Sequence, residues 1–514
     1  MLPSGAVLFI LVVALMLAIS LAWLLTLFYE RRMLALMRAG VAAVSAAGGD
    51  GDAPAAAPAR APPGITLAAN RRANRRLTVA LGAVSLLLAL SQSLLALLFV
   101  YGGELSANRV LVLGAVYAWP MVLCWGLARR WSWPRVVGGV AVYLLAMLGL
   151  VMLRSNATQT IAAASGWLLS QVAIPLAMTL LIGASGRIRA VAPYLLPPVL
   201  LLTGASVLGL QIFAPSAQEL PPWIGAMAGT LGAWPTLLLL FIAPCLLLAW
   251  PVVRLGRWLA AAYRRKRFSD LGYLIAVYWF LILFSSALPA LQSVGWIAFV
   301  QLVPWFWLPL VAYLLSATRP PAPAAPTLLV LRVFAHDAQV ERLFDEVIER
   351  WRLSGNTVLI AGTDLISRTL DPDDLFAYLN GALAERFVAS GEQISERIER
   401  FDWRPDPDGR YRINDCYCFD SSWQAALNAL IACSSVVLMD LRGFRPENHG
   451  CRYELRILAH ADHLRRVVIL HDATTARAVA DADIDSAAAS RFVWLSAERM
   501  DSATAARVLT ALFA

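Results

Sequence analysis

The stretch with the clearest chemical potential follows an apolar run near the C-terminus. Val436–Asp440 (VVLMD) predicts a buried strand that ends in a carboxylate, and a polar loop with two glycines follows it. The next predicted helix places Glu454 in its first turns, close to the strand ends. A carboxylate there can orient a ribose hydroxyl or stabilise a cationic, oxocarbenium-like centre. We therefore predict that Glu454 is catalytic. The ligand-binding candidates beside it are Asp440, Arg442, Gly450 and Tyr453.

A structural role is the alternative for both carboxylates. Glu454 would then be a solvated helix residue, or a negative charge that interacts favourably with the helix dipole. Asp440 ends a buried strand, where a carboxylate is costly unless it has partners. Its structural alternatives are an ion pair with Arg442 or the capping of a turn.

Two further turns of the predicted sheet carry polar candidates. Gly362, Thr363 and Asp364 follow the apolar run 357–361, at the strand end suited to a phosphate or a ribose. The glycine allows close backbone approach, but no Gly-Lys-Ser/Thr follows to complete a phosphate loop. His336 and Asp337 follow the first strand and would shape the same cleft. The alternative is that they are ordinary loop residues.

The cysteines do not predict a metal site. Cys416, Cys418, His449 and Cys451 suggest zinc by residue type. However, the Cys-x-Cys pair belongs to a different predicted element from Cys451, and there is no second close pair. Buried free cysteines are common in protein cores. No metal and no required cofactor are therefore predicted.

The elements that would position these residues alternate between strand and helix from residue 328 onward. Continuous apolar strands between amphipathic helices indicate a parallel sheet covered on both faces. A further, less apolar strand is predicted at 410–419, and a helix from Asp371-Pro372 to about Val388. The expected fold is an α/β domain with a mostly parallel, flavodoxin-like five-stranded sheet. Its five apolar strands are 328–335, 357–361, 436–440, 467–470 and 492–495.

This stretch resembles two families. Cys451-Arg452-Tyr453-Glu454-Leu455 is similar to the Cys-x-x-Glu-Leu part of the Ser-x-Trp-Cys-x-x-Glu-Leu pattern of Toll/interleukin-1 receptor (TIR) domains. The tryptophan of that pattern is absent, and His449-Gly450 stands in its place. Gly450 and Glu454-Leu455, after a strand that bears Asp440, equally resemble the Gly-x-x-x-Glu-Leu pattern of nucleoside deoxyribosyltransferases.

Both resemblances imply chemistry at an N-glycosidic bond. Enzymatic TIR domains use the glutamate on the bond between nicotinamide and ribose in NAD, and the other family uses it between a nucleobase and deoxyribose. The resemblance thus implies that NAD or a related nucleotide is a ligand or a substrate. It covers about 330–475 and none of the apolar region. Many TIR domains bind partners and catalyse nothing, so that alternative stays open.

The first 318 residues predict a membrane region. The whole chain is 59% hydrophobic and only 15% charged, whereas soluble domains average about 25% charged residues. A run of about 20 apolar residues spans a bilayer as a helix. Nine runs qualify: 6–28, 77–100, 110–128, 136–153, 161–183, 191–213, 231–253, 271–291 and 295–316.

The basic residues between these runs predict the orientation. Twenty Lys and Arg residues lie on one side of the alternating spans and only Arg109 and Arg154 on the other. Because basic loops face the cytoplasm, we expect the N-terminus outside and the C-terminal domain in the cytoplasm, at the plasma (inner) membrane. The loop 40–67 is expected to be disordered, and 319–327 is a Pro/Ala linker to the domain 328–514.

Charge excludes some functions. Residues 1–327 carry 22 basic and 6 acidic side chains, and residues 328–514 carry 21 and 28. The soluble part is acidic, so nucleic acid is not an expected partner. None of the nine runs contains Asp, Glu, Lys, Arg or His, which weighs against an ion-driven carrier.

Three functions therefore stay open. The chain is a membrane-anchored signalling or effector protein whose domain binds, and in the enzymatic case cleaves, NAD or a related nucleotide. Alternatively, the domain is a non-enzymatic module that forms homo-oligomers, or it is the nucleotide-binding regulator of a channel or transporter. The lipid bilayer is a partner in all three.

Overall fold

The computed structural model describes residues 4–44, 66–102, 105–154, 160–183, 185–213, 221–311, 325–333, 338–361, 372–419 and 421–514. These form two compact units. The first consists of Met1–Leu27 and Leu81–Ala312, and the second of Phe28–Ala80 and Tyr313–Ala514.

The first unit is made of apolar helices. Its helices, two of which extend into the second unit, are α1 (Ser4–Val44), α2 (Leu67–Phe99), α3 (Ala107–Tyr117), α4 (Pro120–Ala128), α5 (Trp133–Arg154), α6 (Ile161–Gly183), α7 (Gly186–Phe213), α8 (Pro222–Leu231), α9 (Ala233–Arg264), α10 (Asp270–Ala287) and α11 (Leu291–Val294), the last continued by the 3₁₀ helix Gly295–Phe306. In the described part of the chain, eight helical segments are long and apolar enough to cross a membrane. They become nine if α3 and α4, bent by 41° where Pro120 begins α4, are one span. The predicted series of apolar helices is thus confirmed by length and composition.

Helix α10 lies at the centre of the first unit. Trp279, Leu281 and Leu283 on it are fully buried, and it packs against α4, α6 and α7. A helix that is apolar on every face is suited to such an enclosed position.

The second unit contains a seven-stranded sheet. Its strands are β1 (Thr327–Arg332), β2 (Asn356–Ile360), β3 (Phe387–Val388), β4 (Ile413–Cys418), β5 (Val436–Asp440), β6 (Arg466–His471) and β7 (Phe492–Ser496). Its helices are α12 (Ala338–Leu343, continued by a π-helical turn to Ile348 and by Glu349–Trp351), α13 (Pro372–Leu379), α14 (Gly391–Glu399), α15 (Trp423–Ala432), α16 (His449–His460), α17 (Arg477–Ala482) and α18 (Ser502–Phe513).

The predicted strand count of five is wrong. The strand order is β3-β4-β2-β1-β5-β6-β7, and every strand pair is parallel. The five apolar strands, taken alone, follow the flavodoxin-like order of a doubly wound sheet. β4 and β3 extend that sheet beyond β2. The less apolar strand predicted at 410–419 is confirmed as β4, in which Asn414 and Asp415 interrupt the apolar run. β3, which has only two residues, was not predicted.

The predicted helix from Asp371 to Val388 is also shorter than expected. α13 ends at Leu379, and Gly381 follows with a φ of +74°. Glycine adopts this left-handed conformation without the steric cost that other residues meet, so it ends helices. Leu383–Arg386 forms a 3₁₀ turn, and Phe387–Val388 is free to join the sheet as an edge strand.

Helices cover both faces of the sheet. On one face, Leu329, Val437 and Met439 pack against Leu427 of α15 and Leu455 of α16. On the other, Trp351 and Phe513 bring the end of the α12 segment and α18 together, with ring centroids 5.0 Å apart. This arrangement confirms the expected sheet with apolar strands covered on both sides.

Two segments from early in the sequence also belong to the second unit. α1 continues past its apolar part, and Tyr29 and Met33 on this continuation are fully buried. At the start of α2, the Asn70 side-chain amide donates to the Arg350 carbonyl at 2.7 Å and to the Ser354 hydroxyl at 2.8 Å. The second unit therefore contains more of the chain than residues 328–514. Residues 45–65, most of the loop expected to be disordered, and most of the linker 319–327 lie outside the described residues.

Candidate functional site

The candidate site lies where the strand order reverses. From β1 the chain goes first to β2 on one side and later returns to β5 on the other side. A crevice forms at the carboxyl ends of two strands with such an arrangement, and ligands of doubly wound sheets bind there. Arg332 and Asp440 are register partners at these two strand ends. The Val333 N–H donates to the Asp440 carbonyl at 3.0 Å, which holds the two ends together.

Helix α16 directs Glu454 into the protein interior. Cys451, Glu454, Leu455 and Leu458 form one buried stripe on this helix, with the spacing that places residues on a single helix face. Side chains of a helix tilt toward its N-terminus, and the N-terminus of α16 follows β5. The sequence thus positions Glu454 near the strand ends through ordinary amphipathic packing.

Glu454 is buried without a complete set of partners. Its side chain is 6% exposed, and its Oε2 atom has no hydrogen-bond partner among the described residues. Burial raises the pKa of Glu454 to about 8, while the positive charge of Arg332 acts in the opposite direction. This pKa shift favours the protonated form of the carboxyl group. A buried polar atom without a partner is uncommon in native proteins and calls for an explanation.

Cys451 is a packing residue in this geometry. It lies one turn before Glu454 and is buried. Burial, together with the charge of Glu454, raises the pKa of the Cys451 thiol to about 12. A protonated thiol is a poor nucleophile and a poor metal ligand. Among the residues that the structure describes, no group of three His, Cys, Asp or Glu could hold a metal ion.

Asp440 and Arg442 form a buried ion pair. The Arg442 Nε atom donates to Asp440 Oδ1 at 2.8 Å, and Nη2 donates to Oδ2 at 2.5 Å. The Arg442 backbone N–H also donates to Oδ1 at 3.2 Å. Both structural alternatives for Asp440, the ion pair and the turn, are thus present. Ligand binding by the two residues stays a prediction.

Gly450 and Tyr453 occupy different surroundings on α16. Gly450 is exposed in the first turn, and a Cβ atom added there would meet no other atom within 4 Å. Tyr453 is half-buried, and its ring meets Trp423 of α15 edge-on, with centroids 5.3 Å apart. Gly450 therefore borders open space, whereas Tyr453 contributes to helix packing.

Two residues of the candidate site do not belong to any of the sequence motifs described above. Arg332 is 3% exposed at the end of β1. Its position as a charged residue inside an apolar run could have indicated it. Asp472 follows β6 and accepts from the Gly443 N–H at 3.3 Å, which links the loops after β5 and β6. Its signal was the Asp-Ala-Thr-Thr stretch, because Asp and Thr cap turns through their own side chains.

Five predicted residues cannot be placed. They are His336, Asp337, Gly362, Thr363 and Asp364, and all lie outside the described residues. The strands that precede them, β1 and β2, are adjacent and parallel. Their carboxyl ends therefore meet at the same edge of the sheet as the candidate site.

Comparison with known proteins adds no relative. No family model, no curated protein and no solved structure matches this chain. The resemblance to TIR domains and to nucleoside deoxyribosyltransferases therefore rests on the short motif around Cys451 and Glu454 and stays a prediction.

Proposed function

We propose that this chain is a membrane-anchored signalling or effector protein whose C-terminal α/β unit binds NAD or a related nucleotide and cleaves its N-glycosidic bond. The single observation that carries the proposal is Glu454, a buried carboxyl group beside the reversal of strand order, whose Oε2 atom has no hydrogen-bond partner among the described residues. Perturbed acids in such positions are more frequent at functional sites than elsewhere. The apolar helices supply the anchor, and the basic loops favour a cytoplasmic location for this unit.

With NAD as substrate, the proposed reaction needs the carboxylate form of Glu454. The bond between C1′ and the nicotinamide nitrogen breaks, and its electron pair neutralises the pyridinium ring. Water then adds to the oxocarbenium-like C1′ and releases a proton. Nicotinamide leaves as a neutral molecule and requires no proton. The Glu454 carboxylate therefore acts by stabilising the positive charge that develops at C1′. A bound pyridinium cation would itself lower the pKa of Glu454.

With a nucleoside as substrate, the reaction needs the protonated form. A departing purine or pyrimidine takes the electron pair of the bond and would leave as an anion unless it receives a proton. Glu454 in its protonated state can donate that proton as a general acid. The two substrate classes therefore predict opposite pH dependences for one residue.

The test uses the full chain, purified in detergent and incubated with NAD, NADP and deoxynucleosides. Release of free base should depend on Glu454 and be lost in Glu454→Gln, which keeps the size of the side chain. Glu447→Gln is the matched control, because Glu447 is exposed in the loop before α16. For NAD the rate should increase with pH up to about 8, and for a deoxynucleoside it should decrease as pH passes about 8.

Two outcomes would reject this function. If no substrate turns over in a well-folded sample, the N-glycosidic reaction is rejected, and isothermal titration with NAD would show whether the α/β unit binds this nucleotide. If turnover occurs but Glu454→Gln retains it, the reaction belongs to another site.

A further inference from the structure

A second buried polar cluster involves helix α1. Tyr29, on the continuation of α1 that belongs to the second unit, is fully buried. Its ring meets Tyr378 of α13 edge-on, with centroids 5.8 Å apart. Its hydroxyl lies 3.4 Å from the hydroxyl of Tyr417 on β4. A residue from the first helix of the chain is thus part of the interior of the C-terminal unit.

The Tyr417 hydroxyl also contacts two buried carboxyl groups. It lies 2.7 Å from Asp415 Oδ2 and 3.2 Å from Asp374 Oδ2. Asp374 is 1% exposed and Asp415 is 6% exposed. We name Asp374, Asp415 and Tyr417 the acid cluster. Two arginines face it at longer range: Arg386 lies 3.5 Å from Asp374, and Arg397 lies 3.7 Å from Asp415.

Tyr29 adds a polar contact to Tyr417. A tyrosine hydroxyl has one proton to donate and can accept two. The shorter carboxyl contact of the Tyr417 hydroxyl is its donation to Asp415 Oδ2 at 2.7 Å. Burial raises the pKa of Asp415, and the positive charge of Arg397 partly opposes this effect. The Tyr29 hydroxyl, 3.4 Å from the Tyr417 hydroxyl, brings a further hydrogen-bonding group to this buried cluster.

We propose that helix α1 regulates the C-terminal unit through Tyr29, which keeps the side chains of the acid cluster in contact with one another. α1 is one unbroken helix from Ser4 to Val44, so a displacement or rotation of its apolar part changes the position of Tyr29. Withdrawal of Tyr29 removes a hydroxyl partner from the buried Tyr417 and a ring contact from Tyr378. The elements released are β4, which carries Asp415 and Tyr417, and α13, which carries Asp374.

Release of β4 would affect the edge of the sheet where the candidate ligand site lies. Tyr417 is near the carboxyl end of β4, and β4 pairs with β2 in parallel. The carboxyl ends of β4, β2, β1 and β5 share one edge of the sheet, where the candidate site lies. This inference does not depend on the proposed N-glycosidic reaction, because it concerns only the ordering of that edge.

The first test is hydrogen exchange on the full chain. Tyr29→Ala removes both the ring and the hydroxyl, and Tyr29→Phe removes only the hydroxyl. We expect exchange in β4 and α13 to increase by about five- to thirtyfold in Tyr29→Ala and less in Tyr29→Phe, while exchange in β5 stays unchanged. Asn70→Ala is the matched control, since it removes three hydrogen bonds of the second unit, none of which involves the acid cluster. It should leave β4 unaffected.

A second test separates regulation from simple packing. Two alanines inserted after Leu27 rotate the preceding part of α1 by about 200° relative to Tyr29, and four rotate it by about 400°, close to its original phase. If α1 regulates the acid cluster, the two-residue insertion should increase exchange in β4 and α13, and the four-residue insertion should largely restore it. The proposal is overturned if neither insertion changes exchange, or if Tyr29→Ala accelerates β5 as much as β4.

Discussion

Glu454 is a residue whose burial has a measurable effect on stability. Its pKa rises from 4.5 to about 8 through burial, so the folded protein retains a proton that the unfolded chain loses as pH increases. The contribution of Glu454 to stability should therefore be greatest below pH 4.5 and decrease as pH rises toward 8. The loss has an upper limit of about 5 kcal/mol. Glu454→Gln removes this loss, so we expect a variant that melts at a higher temperature than the wild type at pH 8.

Thermal melts at pH 5 and pH 8 in one detergent would measure this effect. The difference between Glu454→Gln and the wild type should be small at pH 5 and large at pH 8. Glu447→Gln should show no such dependence, because Glu447 is exposed. Equal melting temperatures for wild type and Glu454→Gln at pH 8 would show that the carboxyl group has partners that the structure does not describe.

One substitution at Gly450 tests its effect on helix stability and its effect on nucleotide binding separately. It lies in the first turn of α16, and an added Cβ would meet open space. Gly450→Ala should thus stabilise the helix by about 0.5 kcal/mol, because glycine is the poorer helix former. If a nucleotide approaches the backbone here, the same variant should bind NAD about tenfold more weakly, which corresponds to about 1.4 kcal/mol. Unchanged affinity in a stabilised variant would remove Gly450 from the site.

The position of two candidate residues in the fold follows from the sequence. Glu454 and Asp440 were found because apolar strands in a parallel sheet end at one edge, and this edge is readable from hydrophobic runs. The sequence did not indicate which partners each carboxyl group has. The ion pair between Asp440 and Arg442, and the absence of a partner at Glu454 Oε2, depend on side-chain positions that spacing does not determine.

At the scale of elements, Gly381 determines where α13 ends and β3 becomes possible. Its φ of +74° is strained for any residue with a Cβ, at about 1–2 kcal/mol. Gly381→Ala should therefore destabilise the C-terminal unit by about 1 kcal/mol and increase hydrogen exchange in α13 and β3. Gly450→Ala, with the opposite expected sign, is the matched comparison. If Gly381→Ala leaves the free energy of unfolding unchanged, the α13–β3 connection adopts another conformation.

The five strands counted for the predicted sheet share one property. β1, β2, β5, β6 and β7 are short apolar runs between amphipathic helices, a pattern that follows directly from burial on both faces. β4 was predicted as a strand at 410–419 but not counted with them, because Asn414 and Asp415 are adjacent polar residues. Its Asp415 and Tyr417 are buried through hydrogen bonds rather than through apolar surface. β3 is too short to have a period. Polar burial and short edge pairing depend on tertiary partners, which is why the count of five strands was too low.

At the scale of the whole molecule, the inclusion of α1 and α2 in the second unit was not predictable. Tyr29 and Asn70 lie hundreds of residues from Tyr417 and Ser354 in the sequence. Tyr29 follows the apolar part of α1, and Asn70 lies in the polar first turns of α2. Nothing in local periodicity indicates such partners. The nine apolar runs, by contrast, needed no tertiary information, because each is recognised from about 20 consecutive apolar residues.

The orientation of the helices can be tested across the bent pair α3 and α4. Ser106 precedes this pair and Ser132 follows it, both are exposed, and Ser132 lies among Arg129, Arg130 and Arg135. Because basic loops stay in the cytoplasm, a membrane-impermeant maleimide should label Ser106→Cys in intact cells. It should label Ser132→Cys only after permeabilisation.

The matched serine-to-cysteine changes leave the charge of both loops unaltered, so the topology signal itself is preserved. The native cysteines of the α/β unit should stay unlabelled in intact cells if that unit is cytoplasmic, which makes the unmodified chain the baseline. The reverse labelling pattern would overturn the predicted orientation. Labelling of both positions from outside would show that the 41° bend makes α3 and α4 a re-entrant loop. The chain would then have eight spans, which would place its two ends on the same side of the membrane.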